Sequence, residues 1–205
     1  MRQEGEVSRD PHEAWLSRPA PALFFALGAA IVASAAMLAG VRACRDRALL
    51  ATGQARWIWC SRDISRPSPV RFYATRGFLL REVPATAMAR IFVDRRWRLF
   101  INGVPLAAGE QRPGDRLEVW DVTSSLTRGA NRVAIEAESP SGVGGILFCL
   151  DLGGGRKPVV SDASWRVESS EEAIVAGGGT PALEWGSPPM YPWGYPRPPA
   201  APGRR

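Results

Sequence analysis

The chain has 205 residues and a mass of 22.2 kDa, with 45% hydrophobic residues, 22% charged residues and a formal net charge of +6. That length suits one ordinary domain plus tails, and the apolar share can build a packed core. The one histidine, His12, lies in a polar leader. The rest of the chain therefore lacks the means for Ser-His-Asp or Cys-His nucleophiles and for histidine-based metal sites, and neither catalysis nor a cofactor is expected.

Lys157 is the one lysine among the 26 basic residues, and the arginines are scattered among acids, as in Arg112, Asp115, Arg116 and Glu118. No basic stripe forms, so nucleic acid is not an expected partner.

Residues 1–18 read as a polar N-terminal tail. Residues 19–41 carry no charge and read as a transmembrane helix, since 23 residues at about 1.5 Å each can cross a hydrocarbon layer. A cleaved signal peptide is the competing reading, with Ala33-Ser34-Ala35 as its small-residue site. The long leader with four acids and the length of the run favour an uncleaved span. Residues 42–54 read as a juxtamembrane linker. Its Arg42, Arg45 and Arg47 favour a cytoplasmic C-terminal side. The character of the following domain favours export, and greater weight falls on the domain.

From Arg56 the pattern changes to short apolar runs: 56–60, 70–73, 77–80, 87–93, 97–101, 104–106, 116–120, 132–137, 145–150, 159–160 and 165–167. Asn102-Gly103 between two of them predicts a tight hairpin, because both residues tolerate positive φ. In 132–137 Val133 and Ile135 point one way and Arg132, Ala134 and Glu136 the other. Strands with one buried and one wet face, broken by turns about every ten residues, predict an all-β antiparallel sandwich. The segment Asp121–Asn131 predicts one helical turn, with Thr123 accepting its N–H groups, Leu126 entering the core and Gly129 providing a left-handed exit.

The stretches AMARIFVDRRWRLFING at 87–103 and WDVTSSLTRGANRVAIEA at 120–137 look like a known module, as do GVGGILFCLDL at 142–152 and SDASWRV at 161–167. Asp94, Trp97, Asn102-Gly103, Asp121, Thr123, Leu126, Gly129 and Asn131 carry the likeness. Trp57-Ile58-Trp59 fits its first strand, and 181–186 with Pro192-Trp193-Gly194 fits its closing segment. Over 55–195 the chain resembles the galactose-binding-like jelly-roll sandwich, in particular the sugar-binding or N-terminal domains of bacterial α-L-rhamnosidases and family-two glycoside hydrolases. The resemblance implies a jelly-roll β-sandwich, which the apolar run precedes with one transmembrane helix. It brings no shared set of sugar-binding residues.

Asp94, Arg96 and Trp97, with Trp120, are the candidate ligand-binding residues. An indole can pack on a sugar ring while charged groups bind its hydroxyls. The plainer alternative makes Asp94 a loop acceptor and Trp97 a plug at the end of the sandwich. Glu136 and Glu138 read as a solvated strand face near an edge, with no opposed acid for glycoside hydrolysis. Cys60 and Cys149 lie in strands that could be neighbours; a bridge and two buried thiols both remain open. Residues 196–205 end the chain as a Pro-rich tail.

The expected protein is a non-catalytic, single-pass membrane protein of a bacterial cell envelope, with its sandwich outside the cytoplasm. Its expected partner is a glycan or an envelope protein. The alternative is a structural or protein-interaction subunit of a membrane complex, which an exposed apolar sheet face would favour, and a third reading is an accessory domain of a glycoside hydrolase.

Overall fold

The computed structural model describes residues 21–61 and 68–199. The polar tail read over 1–18, the first two positions of the apolar run and the last six of the Pro-rich tail lie outside the described residues. The chain divides into two compact units, Met1–Ala43 and Cys44–Arg205.

Helix α1 runs Pro21–Thr52. Within it Phe24–Ala43 is long and apolar enough to cross a membrane, and none of it is buried against protein; a signal sequence near an N-terminus has the same character. The helix continues through the stretch read as a linker, because Ala, Arg and Leu are strong helix formers. It stops before Gly53, whose φ of 59° is the left-handed exit that glycine tolerates.

The second unit is a two-sheet antiparallel sandwich, as the residue pattern predicts. In chain order its strands are β1 (Trp57–Trp59), β2 (Val70–Leu80), β3 (Met88–Val93), β4 (Arg95–Ile101), β5 (Val104–Gln111), β6 (Glu118–Asp121), β7 (Gly129–Ser139), β8 (Ile146–Asp151), β9 (Val159–Val160), β10 (Arg166–Glu168), β11 (Thr180–Pro181) and β12 (Leu183–Gly186). One sheet has the order β12-β1-β8-β3-β6, with β9 also on β8; the other has β11-β10-β2-β7-β4-β5. The two runs read at 70–73 and 77–80 form one strand, since Gly77 sits in register opposite Arg132 without interrupting the ladder. The Asn102-Gly103 hairpin forms with φ of 52° and 83°. Two terminal pieces within the stretch read as the closing segment, β11 and β12, add to the sheets.

Between the sheets lie Trp59, Phe72, Ile91, Trp97, Leu99, Ile135, Phe148 and Trp165, all buried. Full burial of one large apolar side chain contributes roughly 1.5–3 kcal/mol. Both outer faces also carry apolar clusters, and the chain covers each. On the first sheet Trp57, Phe92 and Leu147 lie under Trp193. On the second, Tyr73, Phe100 and Ala134 lie under a short helix, α2 (Ala173–Ala176), through Ala173 and Ile174.

The Asp121 turn forms as a 3₁₀ turn at Thr123–Ser125, with Leu126 buried and Gly129 at φ 95°. The capping differs from expectation. The Asp121 carboxylate accepts from the Thr123 N–H at 2.9 Å, while the Thr123 hydroxyl accepts from Ala87 N at 2.8 Å and ties the turn to the start of β3. The Thr123 bonds hold the Asp121 carboxyl below the usual carboxylate range.

The bridge that the sequence left open between Cys60 and Cys149 is not made; both are free thiols. Cys60 packs on the inter-sheet core, whereas Cys149 lies between two core residues of β8 and points the other way, towards Gly53 and Val160. Burial pushes both thiols up to about 11. Iodoacetamide is therefore expected to label Cys149 slowly in the folded protein at pH 8 and rapidly in urea, read by mass spectrometry. Rapid labelling without urea would refute this. The neutral thiol is the form the fold favours, so its contribution is full below about pH 9 and is lost towards pH 11. For Cys149 the loss is about 2–3 kcal/mol.

Candidate functional site

Only Asp94 separates β3 from β4, and there the chain passes from one sheet to the other. The passage places Arg95 at φ 95°. From that point β4 alternates: Trp97, Leu99 and Ile101 point into the core, and Arg96, Arg98 and Phe100 point outward. The outward face meets β7 on one side and β5 on the other, with Arg96 opposite Glu138 and Glu110, and Arg98 opposite Glu136 and Ala108. Next to β7, β2 places Tyr73 opposite Glu136 and Arg71 opposite Glu138. Cross-strand partners share a face, so this register gathers arginines and glutamates into one outer array.

Glu136 is its centre. It is 2% exposed, because β2 and β4 flank its central strand and bring Arg71 and Arg98 over it, and this corrects the reading of a solvated edge carboxylate. The Nε groups of Arg71 and Arg98 each donate to one of its oxygens. That carboxylate raises both guanidiniums further above their usual range, by charge for Arg71 and chiefly by the hydrogen bond for Arg98. Arg71 also donates to the Tyr73 hydroxyl at 3.3 Å, and the Arg98 guanidinium lies 5.7 Å from the Phe100 ring centroid. Outside this centre Arg71 approaches Glu138 at 3.5 Å, and Arg96 approaches Glu138 and Glu110 at 3.8 Å.

Two adjoining depressions of about 380 and 480 Å³ share Arg71, Arg96, Glu110 and Glu138. Pro69, Val70, Arg95, Ser139 and Pro140 bound the first; Trp97, Arg98, Ala108, Gly109 and Glu136 bound the second. Each is of the size that holds a small ligand. Two carboxylates, Glu110 and Glu138, and four arginines, Arg71, Arg95, Arg96 and Arg98, reach them through exposed or half-buried side chains, which can exchange their mutual ion pairs for hydrogen bonds to a polar ligand.

Of the four residues singled out from the sequence, Arg96 and Trp97 both line the second depression, whereas Asp94 and Trp120 line neither. Arg96 is in the groove. Trp97, its neighbour, is 2% exposed and lies on the inner face. There its ring packs over Gly109: a Cβ at that glycine would stand 2.9 Å from the indole. Asp94 is buried, and Trp193 Nε1 donates to its Oδ2 at 2.9 Å. Burial raises the Asp94 carboxyl, and the Trp193 bond partly opposes this. Trp120 sits on β6 of the other sheet, 37% exposed, and donates to Glu118 at 3.2 Å. Sequence reasoning passed over Arg71, Arg98 and Glu110, and it read Glu136 and Glu138 as a solvated face. Their one signal is charge at alternate positions of a strand, and a solvated face has the same signal.

The fold is an antiparallel two-sheet β-sandwich of the galactose-binding-like, jelly-roll type. No protein-family profile matches the chain, and no curated protein does. Among solved structures it is similar to the GH78 family rhamnosidase of Bacillus sp. GL1, with a TM-score of 0.62 at 23% identity, over 70% of this chain and 19% of that one. It is similar to the Pleurotus ostreatus lectin in its apo form, with a TM-score of 0.62 at 18% identity, over 74% of this chain and 48% of the lectin. The Streptomyces avermitilis α-L-rhamnosidase complexed with L-rhamnose gives 0.58 at 21% identity, over 70% and 16%. The chain thus spans less than half the length of each. At these identities the shared property is the fold.

Proposed function

We propose that the chain is a non-catalytic, membrane-anchored carbohydrate-binding module of a bacterial cell envelope. In this reading α1 is the uncleaved anchor and the sandwich stands outside the cytoplasm. The outer groove of the β2-β7-β4-β5 face is the saccharide site. The observation that carries the reading is the convergence of Arg71, Arg96, Glu110 and Glu138 on concavities of sugar size. Arginine and carboxylate side chains can hold vicinal hydroxyls from both the donor and the acceptor side. The fold supports it: the Pleurotus ostreatus lectin has been solved in complex with GalNAc, at a TM-score of 0.61 and 19% identity. Arg96 is the sequence-derived candidate that makes contact. Trp97 positions β4 from beneath, and Asp94 and Trp120 act outside the groove.

The covered outer faces support this reading over that of a structural subunit. α2 seals one apolar cluster and the Trp193 segment seals the other. Large apolar residues that do reach solvent on the sandwich, such as Leu79, Val104 and Tyr191, come from separate elements. Detergent-solubilised full chain is expected to bind saccharides on a glycan array, and Arg96→Ala is expected to weaken that binding at least tenfold without changing the thermal midpoint. Absence of any saccharide signal from the folded chain would refute the proposal.

A further inference from the structure

The groove is richer in exposed donors than in exposed acceptors. Glu136 is its most enclosed charge, with a side chain 3% exposed, and both its oxygens are taken by Arg71 and Arg98. The side chains that reach solvent are Arg96 at 72%, Arg71 at 50% and Arg98 at 46%, against Glu110 at 49% and Glu138 at 38%. Three guanidiniums carry more N–H groups than three carboxylates have lone pairs to accept them. Arg95 also lines the first depression, so the lining carries four guanidiniums against three carboxylates and has an excess positive charge.

We infer that the saccharide taken by this groove is an acidic one, a uronic-acid residue whose carboxylate is held by Arg96 and Arg71. The inference rests on the saccharide reading above and names its ligand class. A neutral sugar would use hydroxyls alone and leave the surplus N–H groups to water. A ring carboxylate matches the planar fork of a guanidinium, and its charge offsets the excess. Arg96 is the most exposed of the three, and its pairs with Glu110 and Glu138 are long, 3.8 Å each. It can therefore turn to a ligand carboxylate while Glu110 and Glu138 accept hydroxyls of the same ring. Arg71 and Arg98 keep their positions through Glu136.

Calorimetric titration of the detergent-solubilised full chain tests this with three probes of equal length: oligogalacturonate, neutral galacto-oligosaccharide and its sulfated derivative. Oligogalacturonate is expected to bind at least tenfold more tightly than the neutral sugar, with the margin shrinking from 50 to 500 mM salt. Arg96→Gln is expected to weaken oligogalacturonate by a larger factor than the neutral sugar and so to remove most of the margin between them. Arg96→Lys, which keeps the charge and loses the fork, is expected to fall between. Equal binding of acidic and neutral sugars would overturn the inference and leave the saccharide reading standing. A sulfated sugar as tight as the uronate would overturn the carboxylate assignment. Binding of none of the three by folded protein would overturn both readings.

Discussion

Replacing Trp193 with alanine is expected to destabilise the sandwich by about 3–5 kcal/mol, the range for truncating a large buried aromatic. Trp193 is 6% exposed and stacks on Trp57 with ring centroids 4.5 Å apart. Trp57 in turn meets Phe92 edge-on at 5.5 Å. Removing the indole uncovers that cluster and also removes the hydrogen bond to Asp94. Asp94 Oδ1 already has no hydrogen-bond partner among the described residues, so the carboxylate would be left buried with Arg95 at 3.7 Å as its charged neighbour. The pH dependence follows in sign. The folded Asp94 carboxyl is raised by burial, and loss of the Trp193 bond raises it further. A raised carboxyl favours the fold at acid pH, and that contribution is lost as pH rises through its folded value. The Trp193→Ala deficit is therefore expected to be larger at pH 7 than at pH 4, and Asp94→Asn in the same background is expected to recover part of it. Urea denaturation at the two pH values measures both. A loss below about 1 kcal/mol would mean that the closing segment is not part of the cooperative unit.

The second large effect concerns Glu136. Arg71→Met with Arg98→Met is expected to cost about 3–5 kcal/mol, because it leaves an enclosed carboxylate without either ionic partner. Each single substitution leaves one partner and should cost less, so the pair should be more than additive. Adding Glu136→Met is expected to restore most of the stability, since a well-packed apolar triad avoids the desolvation that the charges incur. The triple variant would fold yet lack the array, and saccharide binding should be lost with stability intact. Urea midpoints of the four proteins decide this. If the double variant loses only the sum of the singles and Glu136→Met restores nothing, Glu136 is not the keystone of the face.

The amino-acid sequence by itself determined the class of fold. Alternating residues such as Val133 and Ile135, the Asn102-Gly103 turn and the Asp121–Gly129 turn act over a few residues, so they are legible without knowing what packs against them. The apolar run at 19–41 is legible for the same reason. Only the tertiary structure decided the site. Asp94, Arg96 and Trp97 look like one cluster in sequence, but the pleat sends Arg96 to one face and Trp97 to the other, and the corner between sheets buries Asp94. Arg71, Arg98 and Glu136 come from three strands, and their meeting depends on the register of β2, β7 and β4. Alternation shows that Glu136 faces away from the core. Its 2% exposure follows from the arginines that close over it, and no local pattern of residues carries that information. Short pieces such as α2, β11 and β12 exist because they complete sheets or cover apolar patches already formed by distant strands. Local propensity sets the strands and turns; long-range register sets which charges share a groove.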